Sequence, residues 1–200
     1  MAGIDRMISS SLTSQIKKNL DLDILKKVER ELFLEHGMSI KISIEHFHVF
    51  LKVLKKNLNI DVNKFENECI KKIIKIKKND EKYIITILDQ DLKNLILEIF
   101  GEIESRKIIF CLFDNEYTIP HILKESKVPK TSGYRKIENW ILNGLIVESQ
   151  KVLSESKKVS KIQCIFQEIS LDIKKGKFLV NVTIDKKIFE KSTSMKSILE

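Results

Sequence analysis

The chain has 200 residues, of which 42% are hydrophobic and 32% are charged, and 36 Lys+Arg against 28 Asp+Glu give a net charge of +8. This apolar fraction is sufficient for a buried core and excludes a disordered or low-complexity chain. No apolar run approaches the roughly 20 residues of a membrane span, and the first residues lack the basic region and apolar core of a secretory signal. We therefore expect a cytoplasmic protein that does not enter a membrane.

The positive charge is informative only where it is clustered. The chain contains 32 Lys but only 4 Arg, together with 32 Ile and a single Ala, which reflects compositional bias as much as selection for charge. The first hundred residues carry 18 basic and 15 acidic residues, net +3, whereas residues 127–161 carry eight basic and three acidic residues, net +5. Because nucleic-acid binding requires a clustered basic face, the segment 127–161 is the candidate functional region of the chain.

The cysteines and histidines do not form a recognisable metal or catalytic motif. Cys69, Cys111 and Cys164 are far apart in sequence and lie among apolar residues, so we expect buried free thiols rather than a zinc site or a disulfide framework. His46 and His48 would point about 200° apart on a helix, so they cannot share one ion. The sequence also lacks a glycine-rich phosphate loop and a Gly-x-Ser-x-Gly motif. We therefore expect no enzymatic activity, no metal and no cofactor.

The first 88 residues have the pattern of a helical domain with one strand. Apolar residues recur every three or four positions in four successive runs. These runs cover residues 4–20, 25–33 with a stop at Gly37, 44–54, and 65–74 followed by a lysine-rich stretch through Lys78. Residues 79–81 have the composition of a turn, and the alternation over 83–87 predicts a strand.

This amino-terminal domain contains no motif that carries chemistry. Its aromatic residues, including Phe33, Phe47, Phe50 and Phe65, are expected to lie in the core rather than in a ligand pocket. An effector-binding or dimerisation role is assigned to the domain only by analogy with other two-part regulators.

A long amphipathic segment over 89–113 joins the two halves of the chain. Gly101 is a predicted break within it, and the polar residues 114–116 end it. A long exposed helix of this kind is typical of homodimer interfaces, although a helix buried within one chain has the same periodicity.

Two short helices are predicted after this segment. Thr118 is a candidate N-cap for the first, which has Pro120 in its first turn. After a turn at 127–129, Thr131 is a candidate N-cap for the second, which ends at Gly144. Two short helices across a tight turn are the components of a helix-turn-helix.

The second of these helices has one apolar and one polar face. The apolar face contains Ile137, Trp140 and Ile141. The polar face is a stripe of hydroxyl, guanidinium, ammonium and amide groups, formed by Ser132, Arg135, Lys136, Asn139 and Asn143. These groups suit base edges and phosphates, since Arg reads guanine, Asn reads adenine, and Ser or Lys holds phosphate. An ordinary solvated helix face has the same pattern, so the stripe alone does not decide between the two interpretations.

Two β-hairpins follow. Residues 147–166 form the first, with a polar and basic tip at 154–158, and the order helix, turn, helix, hairpin is that of a winged helix. Residues 167–185 alternate apolar and polar side chains and form a second, half-buried hairpin, which must cover its apolar face with the winged helix, the amino-terminal domain or a second subunit. The Ser- and Lys-rich tail over 186–200 is expected to be mobile.

The segment over 100–166 resembles archaeal winged helix-turn-helix regulators of the ArsR-like class. The resemblance rests on Thr-Ser-Gly-Tyr-Arg-Lys-Ile at 131–137 and Asn-Gly-Leu-Ile-Val at 143–147. It implies a transcriptional regulator, often dimeric, whose recognition helix enters the major groove. The DNA contacts that it implies on the helix are Lys130, Thr131, Ser132, Tyr134, Arg135 and Lys136, and those on the wing are Lys157, Lys158 and Lys161. The chain lacks the closely spaced cysteines of the metal-sensing branch, so a thiolate metal sensor is disfavoured.

The sequence therefore predicts a mainly α protein with small β elements, of the α+β class. We expect a helical domain over 1–88, a linker helix and winged helix-turn-helix over 89–166, a hairpin over 167–185 and a tail over 186–200. The predicted function is sequence-specific binding of double-stranded DNA by a homodimeric regulator, with Asn139 among the contact residues. The alternative is a winged-helix protein-interaction or signalling module without direct DNA binding.

Overall fold

The computed structural model describes residues 3–58, 61–113, 115–154 and 157–195. The helices are α1 (Gly3–Asn19), α2 (Leu22–His36), α3 (Ile40–Glu45), α4 (Phe47–Asn57), α5 (Val62–Lys71), α6 (Gln90–Gly101), α7 (Ile103–Leu112), α8 (Ile119–Ser126), α9 (Lys130–Leu142) and α10 (Lys186–Phe189). The strands are β1 (Ile74–Asn79), β2 (Lys82–Ile87), β3 (Tyr117–Thr118), β4 (Ile146–Ser154), β5 (Lys157–Cys164), β6 (Phe166–Lys174) and β7 (Lys177–Asp185). This mixture of helices and antiparallel strands places the chain in the predicted α+β class.

One four-stranded antiparallel sheet joins distant parts of the chain. Its strand order is β1-β2-β7-β6, so the hairpin β6–β7 pairs with the hairpin β1–β2. The hairpin expected as a separate unit at 167–185 is thus part of a sheet that begins in the amino-terminal half. The prediction of a single strand before residue 88 was wrong, because the helical spacing of the preceding run continues into β1. The spacing of Ile70, Ile73 and Ile74 is helical, whereas Ile74 and Ile76 alternate along β1 and face the core side of the sheet.

The sheet has one apolar and one polar face. Tyr83 and Ile85 of β2 lie opposite Ile184 and Val182 of β7, and all four are buried. On the other face, the Thr86 hydroxyl donates to the Asn181 side-chain oxygen at 2.7 Å. The helices therefore cover one side of the sheet only, as the period-2 pattern of its strands requires.

The sequence patterns predicted the break in the linker helix correctly, but they did not place all of the aromatic residues of the amino-terminal half correctly. The helix over 89–113 breaks after Gly101 as predicted, and α6 and α7 are separate helices. Phe50 is buried and Phe65 is half-buried, but Phe33 is 70% exposed on α2, so its assignment to the core was wrong. The side chain of Phe47 lies outside the described residues.

The helix α1 occupies the centre of the fold. Its apolar stripe at Ile4, Ile8 and Leu12 is buried, and so are polar residues on its other faces, such as Asp5 and Ser11. The Ser11 hydroxyl donates to Asp89 at 2.8 Å, and Asp89 caps α6 by accepting from the Leu92 amide. A helix buried on more than one face contacts several neighbours at once, so α1 links the elements around it.

The tail is ordered as far as it is described, which corrects the expectation that 186–200 is mobile. Phe189 of α10 is buried and stacks on Tyr83 with ring centroids 3.9 Å apart. The buried carboxylate of Asp5 accepts from the Ser192 hydroxyl at 2.5 Å, from the Ser194 hydroxyl, and from the amides of residues 193 and 194 at 3.1 Å each. These donors neutralise the cost of burying a charge, so they fix the tail to α1. Residues 196–200 lie outside the described part.

None of the helices in the described part of the chain is both long and apolar enough to cross a membrane.

Two glycines allow α1 to touch the end of α9. Gly144 has φ +72°, its amide donates to the Ile141 carbonyl, and the Leu145 amide donates to the Trp140 carbonyl, which together form a Schellman cap. A Cβ on Gly144 would lie 2.2 Å from the Gly3 carbonyl oxygen, and a Cβ on Gly3 would lie 2.6 Å from the Gly144 carbonyl oxygen. Backbone therefore packs directly on backbone at this crossing.

We predict that Gly144→Ala is far more destabilising than Gly37→Ala. Both glycines end a helix with positive φ, but a Cβ on Gly37 meets no described atom within 4 Å, whereas one on Gly144 overlaps α1. The left-handed backbone alone costs about 1 to 2 kcal/mol in either variant, and the overlap adds about 1 to 3 kcal/mol at Gly144. Urea unfolding measures both values, and equal losses of unfolding free energy would contradict the close packing of α1 on α9.

Candidate nucleic-acid interface

A second, three-stranded sheet lies next to the predicted helix-turn-helix. Its order is β3-β5-β4, with β3 inserted between α7 and α8 and pairing through Thr118 opposite Lys161. Along the chain the elements run α7, β3, α8, α9, β4 and β5. The hairpin β4–β5 that follows α9 is thus held by a third strand that precedes α8.

The turn between α8 and α9 depends on a close contact of the two helices. A Cβ on the buried Gly133 of α9 would lie 2.2 Å from a methyl group of Leu123 on α8, so a larger residue at this position would force the Leu123 side chain to move. The helix α9 begins at Lys130 with Pro129 in the N-cap position, and Thr131 lies inside its first turn. The assignment of Thr131 as the N-cap was therefore wrong, because the N-cap is Pro129, two residues earlier than the hydroxyl pattern suggested.

The apolar face of α9 is buried as predicted, and α1 holds its carboxyl end. Ile137 and Trp140 are buried and Ile141 is half-buried. The Arg6 guanidinium donates to the Ile141 carbonyl oxygen at 3.0 Å and to the Glu45 carboxylate at 3.2 Å. A cation at this position satisfies a carbonyl at the end of the helix and interacts favourably with its dipole. Local sequence patterns did not indicate this role of Arg6, because its partner Ile141 lies 135 residues later in the chain.

Two of the predicted contact residues face α7 rather than open solvent. The Ser132 hydroxyl donates to Glu104 at 2.7 Å. The Lys136 ammonium donates to Glu102 and lies 3.8 Å from Glu104, and its side chain is only 12% exposed. The Lys136 ammonium and then the Ser105 hydroxyl hold the pKa of Glu102 below its ordinary value. These contacts attach α9 to the start of α7.

The outward face of α9 is rotated by about one residue from the predicted stripe. Its exposed residues are Lys130, Thr131, Tyr134, Arg135, Glu138, Asn139 and Leu142. They recur at spacings of three and four along one side of the helix. The Asn143 side chain instead donates back to the Asn139 carbonyl oxygen at 2.9 Å. Of the predicted helix contacts, Lys130, Thr131, Tyr134, Arg135 and Asn139 are therefore accessible to a ligand.

A cleft of about 410 Å³ separates the outward face from α6. Its lining includes Arg135 and Asn139 from α9 and Glu98 and Glu102 from the end of α6 and the corner after it. Arg135 is exposed and close enough to Glu102 to help lower the pKa of that carboxyl. The side of Arg135 that faces the cleft is therefore near negative charge, and its other side faces solvent.

The hairpin β4–β5 presents its predicted basic residues on two different faces. Lys158 lies opposite Leu153 in the register, and both are exposed. Lys161 is three residues from Lys158, so it points to the other face, where it is half-buried beside Thr118. The side chain of Lys157 and the tip residues 155–156 lie outside the described residues. Of the predicted wing contacts whose side chains are described, Lys158 is thus the one that shares its face with Leu153.

Two of the three cysteines have the buried environment that their sequence neighbours suggest. Cys69 and Cys164 are buried, Cys111 is half-buried, and all three are free thiols. Burial raises the pKa of the Cys69 thiol to about 11 and that of the Cys164 thiol to about 12. Thiolate is the form that binds metals and reacts, so these two residues are suited to packing rather than to chemistry. Among the described residues no group of three or more His, Cys, Asp or Glu side chains is arranged to hold a metal ion.

Comparison of the chain with models of protein families, with curated proteins and with solved structures found no match.

We predict that Glu102→Gln destabilises the protein at neutral pH but not in acid. Because the folded pKa of Glu102 is lowered, its ionised form stabilises the fold above the ordinary pKa of 4.5, and this contribution is lost as pH falls through the lowered value. The unfolding free energies of the wild type and E102Q should therefore differ at pH 7 and converge at low pH. Glu68→Gln is the control, since Glu68 is exposed and forms no ion pair with a described residue. A difference that does not change with pH would contradict the Lys136–Glu102 contact.

Proposed function

We propose that the protein binds double-stranded DNA in a sequence-specific manner and regulates transcription. The elements from α7 to β5 would form a winged helix, with α9 as the recognition helix and β4–β5 as the wing. The observation that carries the proposal is the outward face of α9, which combines Lys130, Arg135 and Asn139 on a helix whose other sides are packed. The strand order β3-β5-β4 supports it, because the third strand braces the hairpin beside that face.

Five of the seven exposed residues on α9 carry a group with a contact that it can make in a major groove. Arg135 suits the two acceptors of guanine, Asn139 suits adenine, and Glu138 can accept from the amino group of cytosine. Lys130 and Thr131 lie in the first turn of the helix, where no described side chain caps the backbone amides. Amides, a hydroxyl and an ammonium group together suit a phosphate. Ser132 and Lys136 are positioning residues in this proposal, because they attach α9 to α7.

The wing would contact the DNA backbone beside the groove. Lys158 is exposed on the hairpin, and each phosphate that it neutralises releases condensed counterions. Lys161 on the opposite face is braced against β3 and is not placed to reach the same phosphates. Of the predicted contacts Lys157, Lys158 and Lys161, the proposal therefore assigns the wing contact to Lys158, since the Lys157 side chain lies outside the described residues.

We predict that Arg135→Ala reduces affinity for the preferred duplex by about 5- to 150-fold, the cost of one lost bidentate base contact. The duplex is first obtained by selection from a random library with the purified full-length protein, and affinity is then measured by fluorescence anisotropy at several salt concentrations. The matched control is Lys64→Ala, an exposed charge on α5 in the amino-terminal half. Unchanged affinity in R135A would contradict the proposal.

Lys158→Ala separates backbone contact from base reading. Because a phosphate contact carries no sequence information, we expect K158A to weaken all duplexes alike and to make the slope of log K against log salt shallower by about 0.9. Sequence preference should remain that of the wild type. A change of preferred sequence in K158A would place base reading on the wing and contradict the assigned roles.

A protein partner is the second candidate, favoured by one specific observation. Leu142 on α9 and Leu153 on the wing are 73% and 76% exposed, and Tyr134 lies between the charged residues of the same helix face. Exposed apolar groups of this kind are typical of protein interfaces. The selection distinguishes the two candidates, because a protein-binding face would enrich no duplex and would show no steep dependence of DNA affinity on salt.

A further inference from the structure

The four-stranded sheet has two free edges that differ in character. One edge is β1, whose outer face carries Lys75 and Lys77. Two β1 strands from different copies could pair antiparallel with their lysine faces on the same side. Lysine would then lie opposite lysine in each register centred on Lys75, Ile76 or Lys77. Lysines at an edge strand discourage pairing in this way.

The other edge, β6, lacks this protection. It is nine residues long and is paired only with β7 among the described strands. Its apolar residues Ile169, Leu171 and Ile173 alternate with the polar residues Glu168, Ser170, Asp172 and Lys174. Such a strand exposes a row of backbone donors and acceptors together with an apolar face.

The apolar face of the hairpin continues beyond the core of the protein. Leu171, Ile173 and Phe178 are on the same side of the sheet as the buried Val180, because Leu171 pairs with Val180 and Ile173 pairs with Phe178. Yet Ile173 is 69% exposed, and Leu171 and Phe178 are 40% and 45% exposed. A cluster of three large apolar side chains at the end of a free edge needs a cover.

We propose that β6 pairs antiparallel with β6 of a second copy of this chain, with Leu171 on the two-fold axis. This register places Ile169 opposite Ile173 and Leu171 opposite Leu171 on the apolar face. On the polar face it places Glu168 opposite Lys174 twice and Ser170 opposite Asp172 twice. The two sheets then form one continuous eight-stranded sheet, with the apolar residues Ile169, Leu171 and Ile173 of both β6 strands on one side.

Charge selects this register over its neighbours. A shift by one residue would set the apolar face of one strand against the polar face of the other. A shift that centres the pair on Ser170 sets Glu168 opposite Asp172, and one that centres it on Asp172 sets that carboxylate opposite itself. Like charges directly opposite each other are unfavourable in a sheet. The Leu171 register is the one of these that brings opposite charges together.

Glu168 and Lys174, the charges that this register joins, have no oppositely charged partner among the described residues of their own chain. Neither Glu168 nor Lys174 forms an ion pair with a residue that the structure describes, and Glu168 accepts only a hydrogen bond from Thr183, at 3.2 Å. Lys174 lies directly opposite Lys177 in its own hairpin, which is an unfavourable pair. The Glu168 carboxylate of a second copy would therefore lie opposite the Lys174 ammonium group, and Ile169 of that copy would cover Ile173.

Reciprocal charge reversal tests the pairing and its register. We expect the wild type to be in concentration-dependent monomer–dimer equilibrium, measured by sedimentation equilibrium of the full chain without DNA. Glu168→Lys and Lys174→Glu should each raise the dimer dissociation constant by about tenfold or more, and the double variant should restore it. Lys77→Glu on the opposite edge is the matched control and should leave the dissociation constant unchanged. Circular dichroism establishes that every variant is folded.

The outcomes are decisive in either direction. A wild type that is monomeric at all concentrations, single variants that dimerise like the wild type, or a double variant that does not recover would each overturn the proposal. The measurement uses no DNA, so its failure would leave the proposed DNA binding untouched, and loss of DNA affinity in R135A would not bear on the dimer. Leu171→Lys adds an independent arm, because it places two ammonium groups on the axis and should abolish the dimer.

Discussion

The contact of Gly3 with Gly144 brings the backbone of the first helix against the cap of α9, and most of the fold is arranged around this approach. With no side chain at either residue, α1 comes close enough for Arg6 to donate to the Ile141 carbonyl near the end of α9. The same helix binds the N-cap of α6 through Ser11 and the tail through Asp5. A single central helix therefore sets the position of the proposed recognition helix relative to both sheets.

The ion pairs and hydrogen bonds of α9 distinguish residues that hold the helix in place from residues that remain available to a ligand. Ser132 and Lys136 are attached to Glu104 and Glu102 on α7, so their charge and hydrogen-bonding capacity are already used within the chain. Lys130 and Arg135 remain exposed on the outward face. The cluster of positive charge in the sequence is thus smaller on the surface than its count suggests, and its position rather than its size supports the proposed function.

Local patterns predicted the helices well and their long-range partners poorly. Helical spacing located α1, the break after Gly101, the cap at Gly144 and the buried face of α9, because each of these depends on residues close in sequence. The strand β1 was missed because Ile74 satisfies both helical and alternating spacing. The phase of the polar stripe was missed because the acidic partners of Ser132 and Lys136 lie about 30 residues earlier in the chain. A Ser- and Lys-rich tail likewise has no local sign that a buried carboxylate will bind it.

The hydrogen bonds of Asp5 also constrain the order in which the chain folds during synthesis. Asp5 is synthesised well before its donors Ser192 and Ser194, which leave the ribosome 187 and 189 residues later. Until then the carboxylate has nothing to replace its water, and burying it alone would be costly. The amino end of α1 must therefore stay hydrated on the growing chain. The central helix of the folded protein takes its final place only after Ser194 has left the ribosome.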